Sequence, residues 1–156
     1  PWRFVVVGKG EARQRMLRAM EQRYWRELTS DGFSESEAAA RIARSRSRFE
    51  MAPVVIILCL TMDDMDTYPD RRRRSLERTM AIQSLALAGG HLLLAAHAQG
   101  LGACWLCAPL FAPEEVRNSL GLPETWEPQG AIILGHPNET GLDRGRLAVD
   151  EVTRFL

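Results

Sequence analysis

TMAIQSLALAGGHLLLAAHAQGLGACWLCAPLFAP, residues 79–113, is the stretch whose reading decides the fold. No Asp, Glu, Lys or Arg occurs from Thr79 to Pro113. About 20 apolar residues suffice to span a bilayer. Here, however, Gln83, Ser84, Gly89, Gly90, His91, His97 and Gln99 interrupt the run, and no basic flank follows its end. The stretch therefore reads as a long buried helix, about residues 75–99, stopped at Gly100, then a buried strand from Gly102 to Cys107. A helix that is apolar nearly all round must be covered on every side. In a chain of 156 residues a second subunit is a natural cover. Gly89-Gly90 would let another backbone or a flat ligand come close, or make a packing notch within one chain.

Outward from this core, the remaining elements follow from spacing and punctuation. Trp2 to Val7 reads as a strand ended by Gly8-Lys9-Gly10. Met16, Leu17, Met20, Tyr24 and Leu28 recur at helical spacing over residues 11–29. After the turn Ser30-Asp31-Gly32, Ser34 with Glu37 three residues on signals a capped helix to about residue 48. Pro53 opens a strand, Val54 to Leu60, apolar throughout and so buried on both faces. The polar stretch from Asp63 to Arg74 is expected as an exposed loop. Pro113-Glu114-Glu115 suits a first helical turn, and that helix ends near Gly121. Gln129 to Leu134 is a further buried strand. A polar loop at 138–146 leads to Leu147–Leu156, where Val149, Val152 and Phe155 suit a short amphipathic helix or a strand paired elsewhere.

Bulk composition is that of one soluble domain: 46% hydrophobic, 26% charged, and zero formal net charge. That neutrality gives no global pull toward nucleic acid or an anionic membrane. Three cysteines, Cys59, Cys104 and Cys107, suggest a reducing, cytoplasmic setting. A chain opening at Pro1 directly into a core strand is expected to have an N-terminal part upstream. Cys104-Trp105-Leu106-Cys107 has the spacing of a redox dithiol but is expected in a strand, where residues three apart point to opposite faces. No phosphate-binding glycine loop and no persuasive nucleophile or acid–base pair is present. A chain without such groups either lacks catalysis or borrows its chemistry from a cofactor such as a flavin. Arg144-Gly145-Arg146 could turn two guanidiniums to one anion, and Arg71–Arg74 could hold an anionic substrate.

Several of these pieces together resemble the nitroreductase family. Pro1-Trp2-Arg3-Phe4-Val5-Val6-Val7 is similar to its Q-P-W-x-F strand. Gln83 to Trp105 resembles its dimer-core helix and following strand. Leu120-Gly121-Leu122-Pro123, then Ala131 to Leu134 and Gly135-His136-Pro137, resemble the next helix end and the last core strand. A nearer likeness is to the C-terminal domain of the bifunctional coenzyme F-420:L-glutamate ligases. It is carried by Pro1-Trp2-Arg3-Phe4-Val5, by Tyr68-Pro69-Asp70-Arg71-Arg72 before the long helix, and by Gly121-Leu122-Pro123 with Trp126-Glu127-Pro128.

The resemblance implies an α+β fold: a central, mostly antiparallel sheet flanked by helices, with the long helix at a homodimer interface. It implies FMN as cofactor, and hydride transfer to a small planar acceptor such as a precursor of the deazaflavin coenzyme F-420. NAD(P)H or coenzyme F-420 would be the co-substrate. The alternatives are a generic NAD(P)H-dependent nitro- or quinone reductase and a non-catalytic flavin-binding module. Part of the family's flavin site would lie upstream of Pro1. Arg144 and Arg146 match the basic pair that reaches the FMN phosphate. Trp105, Leu106, Cys107 and Ala108 match the strand end whose backbone faces the flavin; Cys107-Ala108 stands where many members have Glu-Gly. Arg44 lies near a flavin-contacting position. No metal site, nucleic acid or membrane is expected.

Overall fold

The computed structural model describes residues 1–139, 141 and 145–156. Four strands, β1 (Trp2–Val7), β2 (Val54–Leu60), β3 (Gly102–Leu106) and β4 (Glu127–Gly135), form one antiparallel sheet in the order β1-β2-β4-β3. The helices are α1 (Glu11–Ser30), α2 (Glu35–Met51), α3 (Arg71–Ala98), α4 (Pro113–Leu120) and α5 (Val149–Val152). A 3-10 turn, Ala108–Phe111, follows β3. The expected α+β class with an antiparallel sheet and one long helix is what the chain adopts.

β2 lies between β1 and β4 and is apolar at every position, so both its faces are covered. One face carries the larger core, where Met16, Leu17 and Met20 of α1, Phe49 of α2 and Val116 of α4 pack on Val55, Ile57, Leu106 and Ala131. The other face carries α3, through Ala81 and Leu85 on Leu58, Leu60 and Ile132. Trp105 of β3 points to this second face. A Cβ on Gly89 would lie 2.2 Å from its ring, so Gly89 is the notch that admits the indole. Gly90, its neighbour, has nothing within 4 Å. Of the two readings of this glycine pair, the packing notch holds for Gly89 only.

Local chemistry explains the ends. Ser34 and Glu37 form the expected capping box at α2. Gly121 closes α4 in the left-handed region, φ 64°.

Two expectations need correcting. Arg71–Arg74 form no loop: the Asp70 side chain accepts from the Arg73 backbone N–H, so α3 begins at Arg71. β3 ends at Leu106, one residue early, because Pro109 cannot donate to a ladder and the Leu110 N–H turns back to the Cys107 carbonyl. Within one chain α3 is covered on one side only, which leaves the other side for the expected second subunit. Its buried residues form one stripe, Glu77, Ala81, Leu85, Gly89 and Ala96, while Leu76, Met80, Leu87 and Leu94 stand half exposed or more. By length and composition α3 could cross a membrane, but that stripe makes it a core element of this domain. At the C-terminal end the short helix forms, with Val149, Val152 and Phe155 all exposed.

One tertiary device had no signal in the sequence. Arg13 of α1 is 1% exposed, and its guanidinium donates to four backbone carbonyls, Val7, Phe49, Ala52 and Pro53. Burial pulls its pKa down from the ordinary arginine value, yet a guanidinium stays charged in proteins. It thereby ties the end of β1 to the end of α2.

Candidate functional site in the cleft between α1 and α2

Residues of α1, α2 and the 3-10 turn line a cleft of about 420 Å³. That lies within the range of small-molecule and cofactor sites. Its floor is apolar, from the buried side chains of Leu17, Met20, Phe49 and Ala112. Ala108 and Phe111 of the 3-10 turn close one side, and the half-buried Tyr24 lines another.

The rim is cationic for a reason readable in α2. Arg41, Arg44 and Arg48 are three and seven residues apart, which puts them on one helical face. All three are exposed and line the cleft. Arg41 lies over the Phe33 ring at 4.3 Å. Arg44 and Arg48 have no ion pair among the described residues. The two carboxylates in the wall are both matched. Glu27 pairs with Arg23 at 2.6 Å, and both Glu21 oxygens accept from Arg46 Nη1 at 2.7 and 2.8 Å. Arg46 also donates through Nε to Glu50 at 2.9 Å and through Nη2 to Gln14 at 2.6 Å. Its pKa is raised by the hydrogen bonds to Glu50 and Glu21, and the Glu50 carboxyl is correspondingly lowered by Arg46. Glu37, one turn earlier on α2, feels the charge of Arg41, so the cations left without a carboxylate among the described residues are Arg44 and Arg48. A neutral chain thus concentrates positive charge at one apolar cleft, the arrangement that receives a flat apolar group carrying an anion.

The structure brings together two of the residues singled out from the sequence, Arg44 and Ala108. Leu106 is buried in the adjoining core, and Cys107 is exposed at the head of the 3-10 turn. The Trp105 side chain packs on the α3 face and stays out of the cleft. Arg146 is exposed, with Nη1 donating to the Gly145 carbonyl. Arg144 lies outside the described residues. Cys104 and Cys107 are both free and exposed, while Cys59 is buried. Sequence reasoning missed Arg41, Arg48, Tyr24 and Phe111. The arginine spacing on α2 was a usable signal; Tyr24 and Phe111 gave none, because each reads as an ordinary core aromatic.

The nitroreductase family model matches residues 1–136. This chain belongs to the nitroreductase family. It is a flavin-dependent oxidoreductase. A relative described as NADH dehydrogenase, from Thermus thermophilus, is 27% identical over 166 residues, covering 91% of this chain and 80% of its own. Among solved structures, a BluB-like flavoprotein from Clostridium difficile superposes with TM-score 0.78 at 20% identity, over 99% of this chain and 79% of that one. The FMN-dependent nitroreductase NfnB from Mycobacterium smegmatis, in complex with NADPH, gives 0.65 at 20% identity, over 100% and 79%.

Proposed function

We propose that the α1–α2 cleft holds FMN and that the enzyme passes hydride from NAD(P)H to a planar, anionic acceptor, a precursor of the deazaflavin coenzyme F-420. The observation that carries the cofactor assignment is the meeting of Arg44 and Ala108, from elements far apart in sequence, at an apolar cleft where Arg44 and Arg48 have no ion pair among the described residues. The residues present suit FMN on two counts. The floor of Leu17, Met20 and Phe49 suits a ring system that loses little on leaving water. The unpaired guanidiniums suit a phosphate, which Arg grips through forked donors.

When bound, FMN supplies the two-electron hydride chemistry for which this chain has no side chain of its own. The protein's part is positional and electrostatic. Arg44 and Arg48 hold negative charge at the rim, and Arg144 and Arg146 are the further phosphate ligands that the family resemblance implies. Ala108 presents backbone at the head of the 3-10 turn, and Phe111 and Tyr24 exclude water from the apolar floor. The acceptor assignment rests on the likeness of Tyr68-Pro69-Asp70-Arg71-Arg72 and Trp126-Glu127-Pro128 to the F-420 ligase family. It rests too on the cation left over. At the start of α3, Arg73 is bound to Asp70 and stacked on Tyr68, and Arg74 donates to the Tyr68 and Pro69 carbonyls. Arg71 and Arg72 have no ion pair among the described residues and are exposed to an anion. A generic nitro- or quinone reductase would need neither.

The enzyme is further proposed to work as a homodimer across the outer face of α3, where Leu87 and Leu94 are each about two-thirds exposed. Light scattering should give twice the monomer mass, and Gly90→Leu should lower it, since Gly90 faces open space. Three unpaired thiols accord with a reducing, cytoplasmic setting. The deciding experiment titrates FMN and riboflavin by fluorescence quenching against wild type, Arg44→Ala/Arg48→Ala and Arg144→Ala/Arg146→Ala. A charge-assisted hydrogen bond contributes roughly 1.5–3 kcal/mol, so each double variant should bind FMN at least about tenfold more weakly while riboflavin changes little. Wild-type FMN affinity in Arg44→Ala/Arg48→Ala would refute the cleft. Turnover of nitroaromatics with none of the deazaflavin precursor would favour the generic reductase.

A further inference from the structure

We infer that Arg46 is a positioning residue that sets the cleft's preference for anions without touching the ligand, by cancelling the Glu21 carboxylate in the cleft wall. The inference rests on the assignment of an anionic ligand to this cleft. Arg46 is the one cleft arginine whose guanidinium is fully engaged. It grips both oxygens of Glu21, donates to Glu50 and Gln14, and is half-buried between α1 and α2. Gln14 in turn donates to Glu50 at 3.4 Å, so three side chains hold the guanidinium in place. It has no donor to spare for a ligand.

Its effect is electrostatic. Glu21 lines the cleft and has Arg46 as its only ion-pair partner among the described residues. With Arg46 in place Glu21 is matched at the wall, the one negative charge left over in the triad is shared with Glu50 outside the lining, and the field at the rim is dominated by Arg41, Arg44 and Arg48. Without Arg46, Glu21 presents an uncompensated carboxylate to any phosphate or carboxylate in the same cleft. Charges across a partly desolvated cleft are screened less than charges in free solution. Glu50, the other carboxylate on Arg46, does not line the cleft. Loss of Arg46 is therefore felt by an anionic ligand through Glu21, and the damage should be reversed by removing that one charge.

The test uses FMN and riboflavin as a charged and a neutral probe of the same site. Each is titrated by fluorescence quenching against wild type, Arg46→Gln, Glu21→Gln and Glu21→Gln/Arg46→Gln, at low and high salt. Arg46→Gln should weaken FMN roughly tenfold at low salt, less at high salt, and riboflavin by under about twofold. The double variant should return FMN to within about threefold of wild type. A purely structural Arg46 would weaken both probes alike and leave the double variant no better than Arg46→Gln; either result overturns the inference. Arg44→Ala/Arg48→Ala, run alongside, separates the two claims. If that variant binds FMN normally the cleft assignment itself fails. If it loses FMN while Arg46→Gln does not, only the role of Arg46 fails.

Discussion

Arg13→Met keeps most of the side chain's length and apolar stem while removing the guanidinium that joins β1 to α2. Four carbonyls, of Val7, Phe49, Ala52 and Pro53, then lose their donor in a site closed to solvent. Hydrogen bonds to a charged group contribute roughly 1.5–3 kcal/mol each, so a naive sum reaches about 6–12 kcal/mol. That overstates the loss. Arg13 carries the desolvation cost of a buried cation with no carboxylate near it, and its Nε finds no partner. Some of the freed carbonyls will also recover water. Removing one side of a buried charged interaction typically destabilises by about 3–5 kcal/mol, which we expect here. A domain of this size has about 5–15 kcal/mol in all. Urea unfolding followed by far-ultraviolet circular dichroism, at fixed protein concentration, should show the midpoint falling by about 2 M for a slope near 2 kcal/mol/M. Arg13→Lys should fall between wild type and Arg13→Met, since a compact ammonium with three donors cannot reach four carbonyls set around a planar fork. A loss below about 1 kcal/mol in Arg13→Met would refute the reasoning, by showing that the carbonyls are satisfied without it.

Gly89→Ala gains about 1 kcal/mol of helix propensity but drives a methyl into the Trp105 ring, so a net destabilisation of roughly 1–2 kcal/mol is expected in the same urea assay. A stabilised Gly89→Ala would show that the indole moves aside freely. With a thiol-reactive chromophore the native protein should react rapidly at Cys104 and Cys107, with Cys59 appearing only on unfolding. Burial closes off Cys59 and pushes its thiol pKa up to about 12. Three fast thiols would contradict this. The Glu37 carboxyl is held below its ordinary range first by the Ser34 hydroxyl and then by the Ser34 backbone N–H. A depressed folded-state pKa stabilises above the unfolded value and is lost as pH falls through the folded one. Ser34→Ala should therefore cost more near neutral pH than in acid, and an equal loss at pH 7 and pH 3 would count against the capping box as the source.

Much of the fold was legible because it rests on local rules. The alternation of Trp2 to Val7, the apolar run of Val54 to Leu60, the Ser34–Glu37 box and the stop at Gly121 each depend on neighbours a few residues away, and the elements form within a few residues of where those rules put them. The misreadings arose where a local rule met a competing contact. Four consecutive arginines read as a solvated loop until Asp70 is seen capping the helix they begin. Cys107 reads as strand until Pro109 ends the ladder. The site was legible only in part, since Arg44 and Ala108 were found through resemblance, and their meeting at one cleft depends on how α1, α2 and the 3-10 turn pack. By itself, then, the sequence determined the composition of the sheet, the existence and order of the helices and the family likeness, all set by side-chain periodicity and caps. Tertiary structure alone decided which arginines are spent and which are free. Arg13, Arg44 and Arg46 are chemically identical and look alike in a sequence rich in arginine. Only the packing of α2 against α1 and β1 buries the first among carbonyls, locks the third to Glu21 and leaves the second facing an apolar cleft.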